Sequence, residues 1–359
     1  MICNNVSSFA VTSFSVRSIG PLPESPSKRE VFNDELQPIG SYATINPYYR
    51  IVQDIEAVKN HEREDPEFKD KDWWWDHQRI RFLNEKMGLK VLLLLLPFSW
   101  ILFLWLSGPL AISWFLGNLM ETSSMPEPLV ILLLIVGLGL SLGWIVLAIW
   151  LGPFATNWLM GPGMGFLMKP FEKAINRKLD QSFEDGCSEF NRTTGQVRFA
   201  LGRKRFFEAP FVEFDAYVER VVQSGGIFYR LALVHRYTQK TFNQTWLSGI
   251  EATKNEVLAW WDMLQRYMDT SQPLPDVPRL EPFRHLDPVT LEYDRVEGRD
   301  PRYWRDLDLT AWEQDEGARL LQKQREYPWA QRQCRLTPQL GKVSMAEYRE
   351  MRPSAAWPI

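Results

Sequence analysis

The chain has 359 residues, 41 basic and 44 acidic, for a formal net charge of -3, a balance that excludes a generally basic nucleic-acid-binding protein. Its three cysteines, Cys3, Cys187 and Cys334, are far apart and form no CxxC or Cys/His pattern, which excludes a disulfide framework and fits a reducing compartment. Sixteen tryptophans are the compositional oddity, and the apolar residues are concentrated in one stretch, Gly88 to Leu151.

Residues 1–45 are rich in Ser, Asn and Pro and lack the basic n-region and continuous apolar run of a secretory signal, so they are expected to form a flexible N-terminus. Residues 46–87 read as a juxtamembrane segment. Tyr49, Ile51, Val52, Ile55 and Val58 have the spacing of one amphipathic helix, and Arg79 to Leu83 reads as a short basic helix. Between them, Trp73, Trp74 and Trp75 have two readings: interfacial anchors at the headgroup level, or packing onto the soluble domain.

Residues 88–168 are expected to form a transmembrane hairpin followed by a membrane-exit segment. Val91 to Leu119 and Leu129 to Leu151 carry no charge. At ~1.5 Å of rise per residue each is long enough to cross a ~30 Å hydrocarbon layer, with spans placed at about 91–115 and 129–151. Pro97 and Gly108-Pro109 are the expected bends of the first. Pro153, Gly161, Pro162, Gly163 and Gly165 argue against a third span.

Arg79, Arg81, Lys86 and Lys90 precede the first span, and Lys169, Lys173, Arg177 and Lys178 follow the second. The connecting loop has only Glu121 and Glu127. The positive-inside rule therefore places both termini in the cytoplasm of a multi-pass inner-membrane protein. Gly139 and Gly143 form a GxxxG whose small face would pack against the first span or against another copy, so a homo-oligomer stays open. No charge lies within the spans, which argues against an ion or proton pathway.

Residues 169–270 read as a cytosolic α+β domain. Thr193-Thr194-Gly195 is a hairpin signal between two alternating segments, and Ser224-Gly225-Gly226 is a second turn, giving an antiparallel meander of about five strands from Phe190 to Trp246. A helix from Glu251 to Met268, with Val257, Trp260, Trp261, Leu264 and Met268 on one face, closes it. A small sheet capped by one C-terminal helix resembles a pleckstrin-homology-like arrangement. The Pro-rich stretch after Ser271 sets a boundary, and 271–359 is a Pro/aromatic-rich extension expected to wrap back on the cytosolic domain.

No catalytic, cofactor-binding or metal-binding constellation is legible. His61, His77, His235 and His285 lack metal-ligand spacing, and no phosphate loop, HExxH or nucleophile elbow is present, so an enzyme is not expected and no cofactor is implied. Asp294, Asp300, Asp306 and Asp308, with Glu292 and Glu297, are interleaved with Arg295, Arg299, Arg302 and Arg305, the pattern of a solvated ion-pair surface. Arg198, Arg203, Lys204 and Arg205 form a basic run beside a strand turn: either a contact for anionic lipid or a partner, or an exposed hairpin tip.

Two spans, Phe190-Asn191-Arg192 followed by Gly195-Gln196-Val197, and a Trp-rich closing helix resemble a bacterial family of uncharacterised two-helix membrane proteins, often associated with type VI secretion and interbacterial toxin clusters. The likeness covers Gly88 to Met268. It implies an immunity or accessory (chaperone) protein whose partner is a toxin or secretion component. A membrane-surface lipid-binding regulatory module and a membrane-associated toxin effector are the alternative readings.

Overall fold

The computed structural model describes residues 9–25, 35–46, 50–69, 73–83, 87–122, 125–158, 161, 169, 187–202, 205–242 and 249–352. The chain divides into two units, one of Met1–Asn84 with Phe183–Ile359 and the other of Glu85–Ser182. It is a mixed α+β protein with two antiparallel sheets and two long apolar helices.

The first unit holds both sheets. Strands β1 (Glu35–Gln37), β2 (Arg79–Leu83), β3 (Cys187–Asn191), β4 (Gln196–Gly202), β5 (Arg205–Pro210), β6 (Phe214–Gln223), β7 (Gly226–His235) and β8 (Thr241–Phe242) pair in the orders β2-β3-β4-β5 and β1-β6-β7-β8. The expected hairpins are present. β3 and β4 turn at Gly195, whose φ of +71° is the left-handed conformation that favours glycine, and β6 and β7 pair from Phe214↔His235 to Gln223↔Gly226.

Each sheet also takes one strand from before the apolar helices. The segment expected to be a basic helix, Arg79 to Leu83, is instead β2, paired with β3 from Arg79↔Asn191 to Leu83↔Cys187. Its alternation of Ile80 and Phe82, both buried, with Arg79 and Arg81 is the period of a half-buried strand.

The closing helix runs from Lys254 to Met268, starting at a capping box in which Thr253 and Glu256 satisfy each other's backbone amides. All five residues of the expected face are buried, but so are Ala259, Asp262, Met263 and Gln265 on the remaining sides. The cover comes from the N-terminal stretch. Asp262 accepts from Ala43 N at 2.7 Å, Gln265 from Gly40 N at 2.8 Å, and Trp261 Nε1 donates to Pro38 O at 3.1 Å. Phe14, Leu22, Ile39 and Ala43 join the same core. The described part of 1–45 is therefore a structural layer and not a flexible tail, because its backbone amides satisfy polar groups of a helix that would otherwise be solvated.

Helix α1 (Ile51–Glu64) buries Ile51, Ile55 and Val58 along one stripe, as their spacing predicts. Beyond residue 271 the chain does not begin a separate body: Leu274, Val277, Leu280, Trp304, Trp312, Trp329, Leu336 and Tyr348 belong to the core around the closing helix. Leu340 bridges Leu22 in parallel, flanked by Leu22 N to Gln339 O at 2.9 Å and Lys342 N to Leu22 O at 3.1 Å.

In the second unit, α2 (Met87–Thr122) and α3 (Glu127–Trp158) are long and apolar enough to cross a membrane. α2 is continuous through Pro97 and Gly108-Pro109, and α3 continues past Pro153 to Trp158. Both are longer than the spans read from composition. Large apolar side chains point outward, including Leu110, Trp114, Leu138, Val146 and Trp150. Water would penalise this surface at about 25 cal/mol per Å² of apolar area, whereas lipid does not. The first part of the expected membrane-exit segment, residues 152–158, continues helix α3 instead; residues 159–160 and 162–168 lie outside the described residues.

Candidate functional site

Of the basic run predicted as a contact surface, Arg198 and Arg205 are among the described residues. Arg198 sits on β4 directly opposite Glu189 of β3, with Nη2 donating to Glu189 Oε2 at 3.4 Å and its guanidinium 4.9 Å from the Phe206 ring. Its charge is matched within the sheet. Arg205 begins β5 and is exposed, while Arg203 and Lys204 lie outside the described residues.

Of the three tryptophans weighed as interfacial anchors, Trp73 and Trp75 are buried in the first unit. Trp73 lies 4.8 Å from the His61 ring and 5.2 Å from Phe68 in a small cluster with Val58 and Phe283. Trp75 lies 5.6 Å from Trp260 of the closing helix, and Arg279 covers it at 5.3 Å. Buried rings such as these do not reach headgroups. Trp74 is half-buried, with the Arg81 guanidinium 5.6 Å over its ring.

Gly139 and Gly143 do not form the helix contact: a Cβ added at either would meet open space. The close approaches are Gly108, where a Cβ would overlap the Trp144 ring, and Gly137, where it would overlap Leu116. Trp144 Nε1 donates to Leu104 O at 2.8 Å across this contact. Indole and leucyl bulk on the opposite helix, and not the GxxxG spacing, selects the glycines at this contact.

The acidic cluster is an ion-pair network, as its interleaving predicts. Arg284 forks onto Asp294, Arg302 pairs with Asp306, and Arg299 bridges Asp276 at 2.7 Å and Glu281 at 3.0 Å. Asp308 caps a helix through Thr310 N. Arg302 hydrogen bonds hold the Glu62 carboxyl below the usual range, with Arg305 adding to the effect. Burial would raise Asp276, but hydrogen bonds from Arg299 and the nearby Arg284 outweigh it and lower the value. Among the described residues no His/Cys/Asp/Glu group is placed to hold a metal ion.

Two polar constellations were not visible in the sequence. The first is centred on fully buried Glu213. His235 Nε2 lies 2.8 Å from Glu213 Oε2, Tyr348 donates to Oε1 at 2.9 Å, and Arg352 pairs with both oxygens. His235 Nδ1 accepts from Thr238 N at 3.2 Å, which leaves the ring proton on Nε2, facing Glu213. Thr238 Oγ1 is 2.9 Å from Nδ1, so hydroxyl, imidazole and carboxylate stand in line. The turn amide already occupies the Nδ1 lone pair that a base would need, and Glu213 is sealed from solvent. The group clasps the C-terminal helix (Met345–Met351) to the sheet.

The second is a cavity of about 310 Å³ between β1, the far end of β7 and the C-terminal extension. Arg332, Arg236, Asp215 and Gln37 supply its polar lining, and Ile39, Val234 and Leu336 part of its apolar wall. Arg236 is neutralised by Asp215, to which it donates at 2.6 and 3.1 Å. No spacing signal links residues 37, 236 and 332, which is why sequence reasoning missed them.

Comparison of the chain with protein-family models, with curated proteins and with solved structures finds no match in any of the three.

Proposed function

We propose that this chain is a membrane-anchored binding protein: α2 and α3 tether it to a bilayer, and the α+β unit engages a protein partner. The observation that carries the anchor is the outward display of apolar side chains by both helices, of which only 6% of the most apolar window is buried in either case. The absence of any charge from Val91 to Leu119 and from Leu129 to Leu151 supports an anchor in preference to a conduit. The basic residues flanking the pair, with none in the loop between, support an inner-membrane topology with both termini in the cytoplasm.

The partner class we propose is a toxin or secretion component, making the chain an immunity or accessory protein of a type VI system. That assignment rests on the sequence resemblance alone. Co-expression with any toxin encoded beside its own gene tests it: restored growth supports immunity, and growth arrest on expression of the chain by itself marks a toxin instead. A reporter inserted between Glu121 and Glu127 should behave as periplasmic, and resistance to carbonate extraction should be lost when both helices are deleted. A cytoplasmic reporter signal overturns the orientation.

A further inference from the structure

We propose that the apolar groove between the N-terminal stretch and the C-terminal helix is the seat of the residues that follow that helix, Pro353 to Ile359, with the Trp357 ring as the anchor. This inference does not depend on the membrane anchor or on the identity of any protein partner.

The groove, of about 540 Å³, opens on the surface of the first unit. Phe14 and Phe211 are buried beneath it and meet edge to face at 5.0 Å. Ile19 and Val212 are half-buried in its lining, and the apolar side chains of Val11 and Met351 stand exposed there. Backbone bonds fix the walls: Ala10 N donates to Thr193 O at 2.9 Å, and Phe211 N to Gly195 O at 2.8 Å. A preformed, mainly apolar recess of this volume accommodates an aromatic ring and a few neighbouring residues.

The occupant follows from where the chain leaves the fold. Met351 and Arg352 end the C-terminal helix and themselves line the groove. Arg352 is buried and donates to Glu213 Oε2 at 3.0 Å, so the exit point is held in place. Its backbone is extended, with ψ of 116°, the conformation that the following Pro353 favours. Trp357 is five residues further on, a reach of up to ~17 Å at ~3.4 Å per residue, which exceeds the width of a recess this size.

Composition agrees with position. The helix Met345–Met351 carries Glu347, Arg349 and Glu350, whereas 353–359 has no charged side chain and contains Trp357, Pro353 and Pro358. The two prolines stiffen the segment and reduce the entropy lost on docking, and the short tether gives a millimolar-range effective concentration. Residues 1–8 are the other nearby segment outside the described residues, and they fit less well. They contain no aromatic residue, and they leave from Phe9, whose ring lies 5.4 Å from the Arg192 guanidinium, away from the groove lining.

Disulfide trapping in the full-length chain in neutral detergent tests the proposal. Ser18 is exposed in the groove lining, and Val296 is exposed on the helix Pro288–Glu297, outside it. Under mild oxidation, S18C combined with A356C should form an intrachain disulfide many-fold faster than V296C combined with A356C, as read by peptide mass spectrometry. Trp357→Ser should slow the first reaction several-fold, and Trp357→Phe, which keeps a ring, should retain most of its rate. Equal rates for the two pairs, or an unchanged rate in W357S, would overturn the proposal. So would a disulfide between two chains, which assigns the groove to a second copy. Preferential pairing of the thiol at position 18 with the native Cys3 assigns it to residues 1–8 and overturns it equally.

Discussion

Arg192 and Asp287 form an ion pair that is sealed from solvent, Nε to Oδ1 at 3.1 Å, at the point where the first hairpin meets the end of the closing helix. The same guanidinium donates to the carbonyls of Tyr267, Asp269 at 3.0 Å and Gln272 at 2.7 Å, so it caps a helix C-terminus whose carbonyls would otherwise be orphaned. Asp287 in turn accepts from Thr290 N at 3.0 Å and starts the helix Pro288–Glu297. Replacing Arg192 by Met should destabilise the first unit by ~3–5 kcal/mol, since it leaves Asp287 buried without its partner. Arg192→Lys should not rescue it, because an ammonium cannot reach the carboxylate and the carbonyls together. Urea denaturation followed by tryptophan fluorescence measures both.

Gly195 is constrained twice. Its φ is +71°, and a Cβ there would stand 2.4 Å from Thr12 O and 2.8 Å from Phe14 N, where the N-terminal stretch crosses the hairpin. Gly195→Ala should therefore cost at least ~2 kcal/mol, more than the ~1–2 kcal/mol of the left-handed conformation alone. The excess should disappear when residues 1–15 are deleted in the same background. An unchanged excess in the thermal melt would mean that the crossing is not where the strain arises.

In the apolar pair, Gly108→Ala should push Trp144 out of its seat and break the indole bond to Leu104 O, whereas Gly139→Ala should be neutral because open space faces it. Trp144→Phe removes the donor and trims the ring, so it should cost more than the roughly 0.6–1 kcal/mol of the hydrogen bond alone. Steric-trapping or SDS-unfolding measurements in bicelles would rank the three variants.

Burial raises the Cys187 thiol to about 11. At pH 8 its thiolate fraction is then on the order of one in a thousand, and iodoacetamide should modify the half-exposed Cys334 well before Cys187. Comparable rates for the two peptides at pH 8 would show that Cys187 is not buried as described.

Glu62 and Asp276 have lowered folded pKa values, held down by Arg302 and Arg299. A carboxylate of this kind stabilises the fold fully above its unfolded pKa of ~4, and the contribution is lost as the pH falls through the lower folded value. Stability should thus drop below about pH 4, and Glu62→Gln with Asp276→Asn should flatten that drop. Arg302 and Asp306 are substantially exposed, so their pair adds little.

The amino-acid sequence by itself determined the local features: two apolar helices from uncharged runs, two hairpins from Gly195 and Gly226, helix α1 and the closing helix from the spacing of their apolar residues, and an ion-pair surface from interleaved Arg and Asp. These follow from forces acting over a few residues or from the large free energy of placing a continuous apolar run. The tertiary structure alone decided where distant segments meet. Arg79 to Leu83 became a strand because β3 lay beside it, residues 36–46 became a layer because Asp262 and Gln265 needed amide partners, and Trp73 and Trp75 turned inward to fill the core. Glu213 with Tyr348 and Gln37 with Arg332 are juxtaposed across more than a hundred residues. No local pattern encodes such pairs, because the desolvation that makes them matter exists only once the chain has closed around them.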